Sequence, residues 1–328
     1  AMQGLGRRQT AAWLSAVLWA SAAAGLGACG QPATGTCGIG GLRPHPEIGG
    51  ELLYSCSAGV SIKGDLFLLD LSSGQVRRLT TDSGLNTDPA WSPDGRRIVF
   101  ESTRQGRYDL YLMDASNGRV KWLSGGAGFN EQPRWSPDGA WISFTSSRDG
   151  ISAPVGVNGF HRDVYLVRPD GSGLHRLTTG SGFNGDVAWA ADGTHLAFTS
   201  DRAGAFDIYV MNPDGTNQQQ LTHHEHGRGY AAYATWSPDG SAVVFNATNP
   251  PTDPAQSSIY TLALAQGTPM RITRGYDFHP DWSRGGEWIA FLGGRHGHPQ
   301  LFVVRPDGSD LIELTTDASD KDVPRWRP

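Results

Sequence analysis

Just upstream of six tryptophans stand side chains able to do acid–base or recognition chemistry, and they differ from copy to copy: Asp88, Glu131 with Gln132, Asp186, Tyr233, His279 and Asp322. Carboxylates joined by one imidazole and one phenol form a set of hydrogen-bond acceptors suited to a cation, a basic peptide segment or a sugar. Histidines also gather, as His223, His224 and His226, with His279, His296 and His298 further on. Imidazoles near carboxylates hold Zn, Mn or Ni. Their spacing here matches no fixed metal signature, so they read as loop histidines and only as weak metal candidates. Nucleophilic catalysis finds no footing, because no GxSxG elbow is present and no Gly-rich phosphate loop opens onto a helix. The expectation is a binding site without catalytic residues and without a cofactor, a divalent cation at the site's mouth being the one addition it would admit.

What must position these groups is a repeat. Trp91-Ser-Pro-Asp-Gly95 returns as Trp135-Ser-Pro-Asp-Gly139 and Trp236-Ser-Pro-Asp-Gly240, with degraded copies at Trp189 and Trp282 and a truncated one at Trp326. A fixed period of this size marks a propeller or solenoid. Within residues 84 to 123, four strands alternate with turns: Asp88–Trp91, Arg97–Phe100, Asp109–Met113 and Val120–Leu123. Ser92-Pro-Asp-Gly95 puts Pro and Gly where turn geometry wants them. Four strands per unit, with a turn signal roughly every ten residues, describe one propeller blade.

The two ends are incomplete in a complementary way. The first unit starts at its second strand, Glu51-Leu-Leu-Tyr54, and the last copy supplies only a first strand, Val323-Pro-Arg-Trp326. Pairing these two segments closes the ring and leaves no sheet edge open. The predicted architecture is all-β: a six-bladed propeller of four antiparallel strands per blade over residues 50–328. The six tryptophans then pack between blades, while function lies where the copies differ. The phrases ahead of each Trp, such as Gly84-Leu-Asn86 and Gly182-Phe-Asn184, enter the innermost strand on the face where the channel opens. Two lengthened connections, Asp149 to Arg162 and Ala247 to Ser257, rise from that same face, and long loops on a rigid ring commonly carry binding.

The Trp-Ser-Pro-Asp-Gly turn, Phe198-Thr-Ser-Asp-Arg202, the Asp207-Ile-Tyr209 strand and the Pro-Asp-Gly turn at 213–215 resemble the repeats of TolB-type six-bladed propellers. The resemblance implies a protein- or peptide-binding scaffold of the bacterial envelope that catalyses nothing. TolB proteins carry an α/β domain ahead of the propeller, where this chain shows only a short linker, so a role in a Tol–Pal complex does not transfer from the repeats alone. Oligogalacturonate lyases also resemble TolB-type propellers and use a histidine-bound metal. That implies an alternative, a metal-dependent carbohydrate-active enzyme seated on the histidines of blades five and six.

Residues 1–28 read as an export signal: Arg7 and Arg8, then an apolar alanine-rich run to Gly27. Leu26-Gly-Ala-Cys29 resembles the lipobox of bacterial lipoproteins, which implies lipidation of Cys29 and a lipid-anchored protein on the periplasmic side of the envelope. Gly30 leans toward the outer membrane. Residues 29–49 are rich in Gly, Pro and Thr and read as a tether, and Cys37 and Cys56 are an even pair available for a disulfide in an exported chain. With a net charge of −5 and no basic stripe, nucleic acid is excluded as a partner. An envelope protein or peptide, met by a monomer, remains.

Overall fold

The computed structural model describes Cys37 and residues 43–57, 64–82, 84–126, 128–149, 161–180, 182–225, 229–248, 257–295 and 297–328. Cys29, His226, His296 and most of both lengthened connections lie outside the described residues. The described chain forms six four-stranded antiparallel sheets and no helix. The first blade contains β1 (Glu51–Ser57), β2 (Asp65–Asp70) and β3 (Val76–Arg78). The second begins with β4 (Asn86–Trp91) and β5 (Arg97–Ser102), and the next four begin with β8 (Asn130–Trp135), β12 (Asn184–Trp189), β16 (Tyr230–Trp236) and β20 (Asp277–Trp282). The last strand, β24 (Asp320–Trp326), crosses back to become the innermost strand of the first blade.

The closure predicted from the two incomplete ends is therefore observed. β24 pairs antiparallel with β1, setting Leu52 opposite Trp326, Leu53 opposite Arg325 and Cys56 opposite Lys321. The Arg327 amide continues the ladder to the Glu51 carbonyl at 2.9 Å. Lys321 is fully buried, and its ammonium donates to Asp317 Oδ1 at 2.6 Å and Ser319 Oγ at 2.7 Å. Cys37 and Cys56 are joined by a disulfide with a Cα–Cα distance of 5.9 Å. Residues 43–50, the end of the segment expected as a tether, turn back on the ring. The His45 amide donates to the Leu71 carbonyl at 2.6 Å, and Ile48 packs on the first-blade core. Gly50 is at φ 81°, and a Cβ there would meet the Trp326 ring at 3.3 Å, so both backbone and space require glycine.

The core lies between blades, as sheets with two apolar faces demand. Trp91 sits among Leu53, Leu66 and Leu68 of the first blade and Ile98, Phe100 and Met113 of its own. Each Ser-Pro-Asp-Gly turn locks itself: Ser92 Oγ donates to Asp94 Oδ1 at 2.5 Å and accepts from the Arg97 amide at 2.9 Å. That hydrogen bond also holds the exposed Asp94 carboxyl below its usual range. A second repeated bracket stands at the opposite end of the blades. Arg104 donates from Nε to Ser102 Oγ and from Nη2 to Asn86 Oδ1, both at 3.0 Å. Its guanidinium lies 4.4 Å from the Tyr111 ring centroid and 5.2 Å from that of Phe100.

Candidate functional site

Every innermost strand is broken by a bulge a few residues before its tryptophan. Two residues of the inner strand there oppose one of its neighbour, which re-aims a side chain. The residue three before each tryptophan takes a left-handed backbone: Asp88 (φ 44°), Gln132 (57°), Asp186 (52°), Tyr233 (57°), His279 (54°) and Val323 (40°). This conformation is disfavoured for any side chain but glycine, and most for a β-branched one such as Val323. The fold adopts it six times and puts a different chemistry at nearly every turn of the ring.

Five of the seven residues singled out in the sequence occupy these positions. Glu131 and Asp322 stand one residue earlier, so the sixth left-handed position belongs to Val323, which pattern reading missed. The set nonetheless assembles around the axis as a circuit of contacts linking all six blades. Arg325 Nη2 approaches Asp88 Oδ1 at 3.4 Å, and Arg134 Nη1 binds the same oxygen at 2.9 Å. Gln132 Nε2 donates to Asp186 Oδ1. The Tyr233 amide reaches Thr199 Oγ1 at 3.3 Å. The Tyr233 and His279 rings meet edge to face at 4.1 Å, and His279 Nδ1 lies 3.3 Å from Asp322 Oδ1. Thr87 Oγ1 closes the loop on Asp322 Oδ2 at 3.0 Å.

The carboxylates of this set meet cations from the positions just before the tryptophans. Where other copies have Ala90, Ala188 or Thr235, two have Arg134 and Arg325, and both guanidinium groups turn onto Asp88. Glu131 is likewise held by Arg162 Nε at 3.2 Å. A carboxylate cannot be buried here without a counter-charge or a proton, and the ring supplies both. Asp281, with Oδ2 accepting from the Trp326 amide at 2.9 Å, has its pKa pushed up by burial to about 7. Asp186 is also raised to about 7 by burial, with the Thr199 hydroxyl pulling the other way. Glu101 on β5 accepts from the Gln132 amide at 2.5 Å; burial and then the charges of Asp88 and Glu131 push its carboxyl well up.

Gln132, Arg134, Asp186, Tyr233, His279 and Arg325 converge on a cavity of about 10 Å³. That is room for roughly one water, so the axis is filled by side chains at this level. Glu131, Gln132, Tyr233 and Asp322 remain part-exposed above it, while Asp88, Asp186 and His279 are buried.

A pH dependence follows. The protons held by Asp186 and Asp281 favour the folded state below about pH 4. That contribution is lost as pH rises from about 4 to about 7, by at most about 1.4 kcal/mol per pH unit for each group. Asp186→Asn removes one of the two, so its stability relative to the parent should rise between pH 4 and 7 and level off above. Urea melts at three pH values measure this. A difference that stays flat would show that folded Asp186 is ionised.

The other candidates do not join this site. His223 is exposed at the outer edge, His224 Nδ1 pairs with Asp207 Oδ1 at 2.7 Å, and His298 Nδ1 with Asp320 Oδ1 at 2.8 Å. Among the described residues no group of three or more His, Cys, Asp or Glu side chains is disposed to hold a metal ion.

The family model described as TolB beta propeller domain matches residues 51–158 and 152–251. The Tol-Pal system protein TolB of Francisella tularensis subsp. mediasiatica is 29% identical over 288 residues, covering 85% of this chain and 52% of that protein. The chain thus spans about half the length of the curated relatives it matches. TolB from Acinetobacter baumannii superposes with a TM-score of 0.73 at 23% identity, over 85% of this chain and 67% of that one. A putative TolB from Agrobacterium tumefaciens gives 0.63 at 19%, over 85% and 99%. At these identities the structural likeness shows the fold alone.

Proposed function

The chain belongs to the TolB beta propeller domain family, and from that premise we propose that it is a non-enzymatic scaffold of the bacterial cell envelope. It would capture a protein or peptide on the face where the channel opens, and be held to the membrane by a lipid on Cys29. The observation that carries this reading is the six-fold left-handed bulge, because backbone strain repeated in every blade persists only where the surrounding structure holds it. Side chains that differ from blade to blade on an identical strained mount give an address, not a uniform lining. The names of the curated relatives, Tol-Pal system proteins, support an envelope assembly as the setting.

The physical logic is preorganisation. The ring's polar groups already hold one another, so a partner meets fixed acceptors and donors and little ordering entropy is lost on binding. Glu131, Gln132, Tyr233 and Asp322 are the members exposed enough to touch it. A partner that hydrogen-bonds fits this surface better than one bound by bare charge, because Asp88 and Glu131 are already paired.

The test is capture of envelope protein from the producing bacterium by the immobilised chain. Glu131→Ala with Tyr233→Leu should reduce capture at least about tenfold, the effect of losing one central anchor. Arg96→Gln, exposed on the opposite face, should leave it unchanged. Equal capture by the parent and both variants would contradict the channel face as the docking surface.

A further inference from the structure

The seam between the second and third blades opens, on the face of the Ser-Pro-Asp-Gly turns, into a cleft of about 450 Å³. Arg97, Lys121 and Arg168 line it, together with Ala140 and Pro169. Arg97 starts β5, Lys121 is the middle of β7 (Val120–Trp122), and Arg168 follows β10 (Asp163–Val167) in the next blade. Every blade has these three positions, yet no other seam carries more than one lysine or arginine on them. The seam before it has Arg77 with Glu51 and Asp114. The seam between the fifth and sixth blades has Arg305 with Ala242 and Met270, and the other three have none.

These cations are not spent inside the chain. The Arg97 guanidinium lies 4.7 Å from the Trp135 ring centroid, and that of Arg168 lies 4.4 Å from Trp141. Stacking on an indole fixes a guanidinium and leaves its in-plane N–H groups free to donate. Lys121 Nζ reaches across the seam to the carbonyls of Pro169 and Asp170, both at 3.3 Å. Those acceptors are neutral, so its charge stays uncompensated. Among the described residues none of the three is in an ion pair. The carboxylates close by are each held in their own turn: Asp94 by the Ser92 hydroxyl, Asp114 by that of Ser116, and Asp170 by the Ser172 amide. Arg97 is half-buried, while Lys121 and Arg168 are exposed, so a ligand can reach all three from solvent.

We propose that this cleft binds a small phosphate monoester, its phosphate held by Arg97, Lys121 and Arg168 and its carbon skeleton laid on Ala140 and Pro169. A doubly charged tetrahedral oxyanion offers three acceptor oxygens to donors on separate sides, which a planar, singly charged carboxylate does not. The volume is within the range of small-ligand sites, and the part-exposed Ala140 and Pro169 give the carbon skeleton an apolar wall. The cleft lies on the face opposite the channel mouth, so it does not depend on partner capture there.

Calorimetry on the intact protein with phenyl phosphate and benzoate, at physiological salt, tests this. Phenyl phosphate should bind saturably and about tenfold more tightly than benzoate. Lys121→Gln, at an exposed position and checked for an unchanged melt, should lower phenyl phosphate affinity about tenfold. Arg119→Gln, exposed in the neighbouring turn and outside the cleft, should leave it unchanged because salt screens its charge. Phosphatidylglycerol vesicles, which present a singly charged diester, should not retain the protein. Equal affinity of the parent for phenyl phosphate and benzoate, or no saturable binding, overturns the proposal whatever the variants do. So does equal weakening by Lys121→Gln and Arg119→Gln, which would reduce the effect to overall charge. Retention by the vesicles without phenyl phosphate binding overturns it in favour of a membrane surface.

Discussion

A chain cut before Asp320 should show no cooperative unfolding transition. β24 is the innermost strand of the first blade, and its loss leaves β1 with an open ladder and the ring with two unsealed edges. It takes with it the Trp326 ring packed on Gly50 and buried Val323. It also removes Lys321, the counter-charge of Asp317. Deleting one large buried side chain costs about 3–5 kcal/mol, and stranding a buried charge costs about as much again. Together with the lost strand pairing, these exceed the roughly 5–15 kcal/mol that holds a domain folded. Calorimetry of the truncated chain, followed by addition of a peptide spanning 318–328, checks it: the transition should return with the peptide. A truncated chain that melts within a few degrees of the parent would show that the ring does not depend on its closure.

Asp88→Ala should be the most costly single substitution in the channel. Asp88 is buried and is the common partner of Arg134 and Arg325, so removing it leaves two arginines without their shared acceptor. Breaking a buried pair from one side costs about 3–5 kcal/mol, which lowers the melting temperature of a chain this size by roughly 10 °C. Adding Arg134→Met should return part of the loss, because one uncompensated charge goes with it and the pair is coupled. Thermal melts of the single and double variants measure both effects. An Asp88→Ala protein melting within 2 °C of the parent would mean that water, not Asp88, holds those guanidinium groups.

The fold was legible because its signals are local and repeated. Each Ser-Pro-Asp-Gly turn is closed within itself by Ser92 and Asp94 or their copies, and the Trp326 segment announces its missing partner by being incomplete. The site was legible only in part. Asp88, Gln132, Asp186, Tyr233 and His279 vary on a constant frame, which is a readable sign. In the sixth copy the acid, Asp322, stands one residue ahead of the left-handed position, and Val323, which holds that position, carries no polar group to mark it. Arg134, Asp281 and Arg325 also vary between copies, one residue before the tryptophan, which is a readable sign of the same kind. That two of them cross to Asp88, and that Glu101 reaches the Gln132 amide from a second strand, depends on contacts between blades that no spacing within a repeat encodes.

The central claim is that a partner seats on the channel-mouth face, over Glu131, Gln132, Tyr233 and Asp322 beside the inner-strand bulges. Amide hydrogen exchange with and without captured partner tests it most directly. Bound partner should slow exchange at the connections into the inner strands, around residues 84–88, 128–132, 182–186 and 229–233, and leave the Ser-Pro-Asp-Gly turns on the opposite face unchanged. Protection confined to those turns or to the outer strands, with the bulges exchanging as in the free protein, would contradict it.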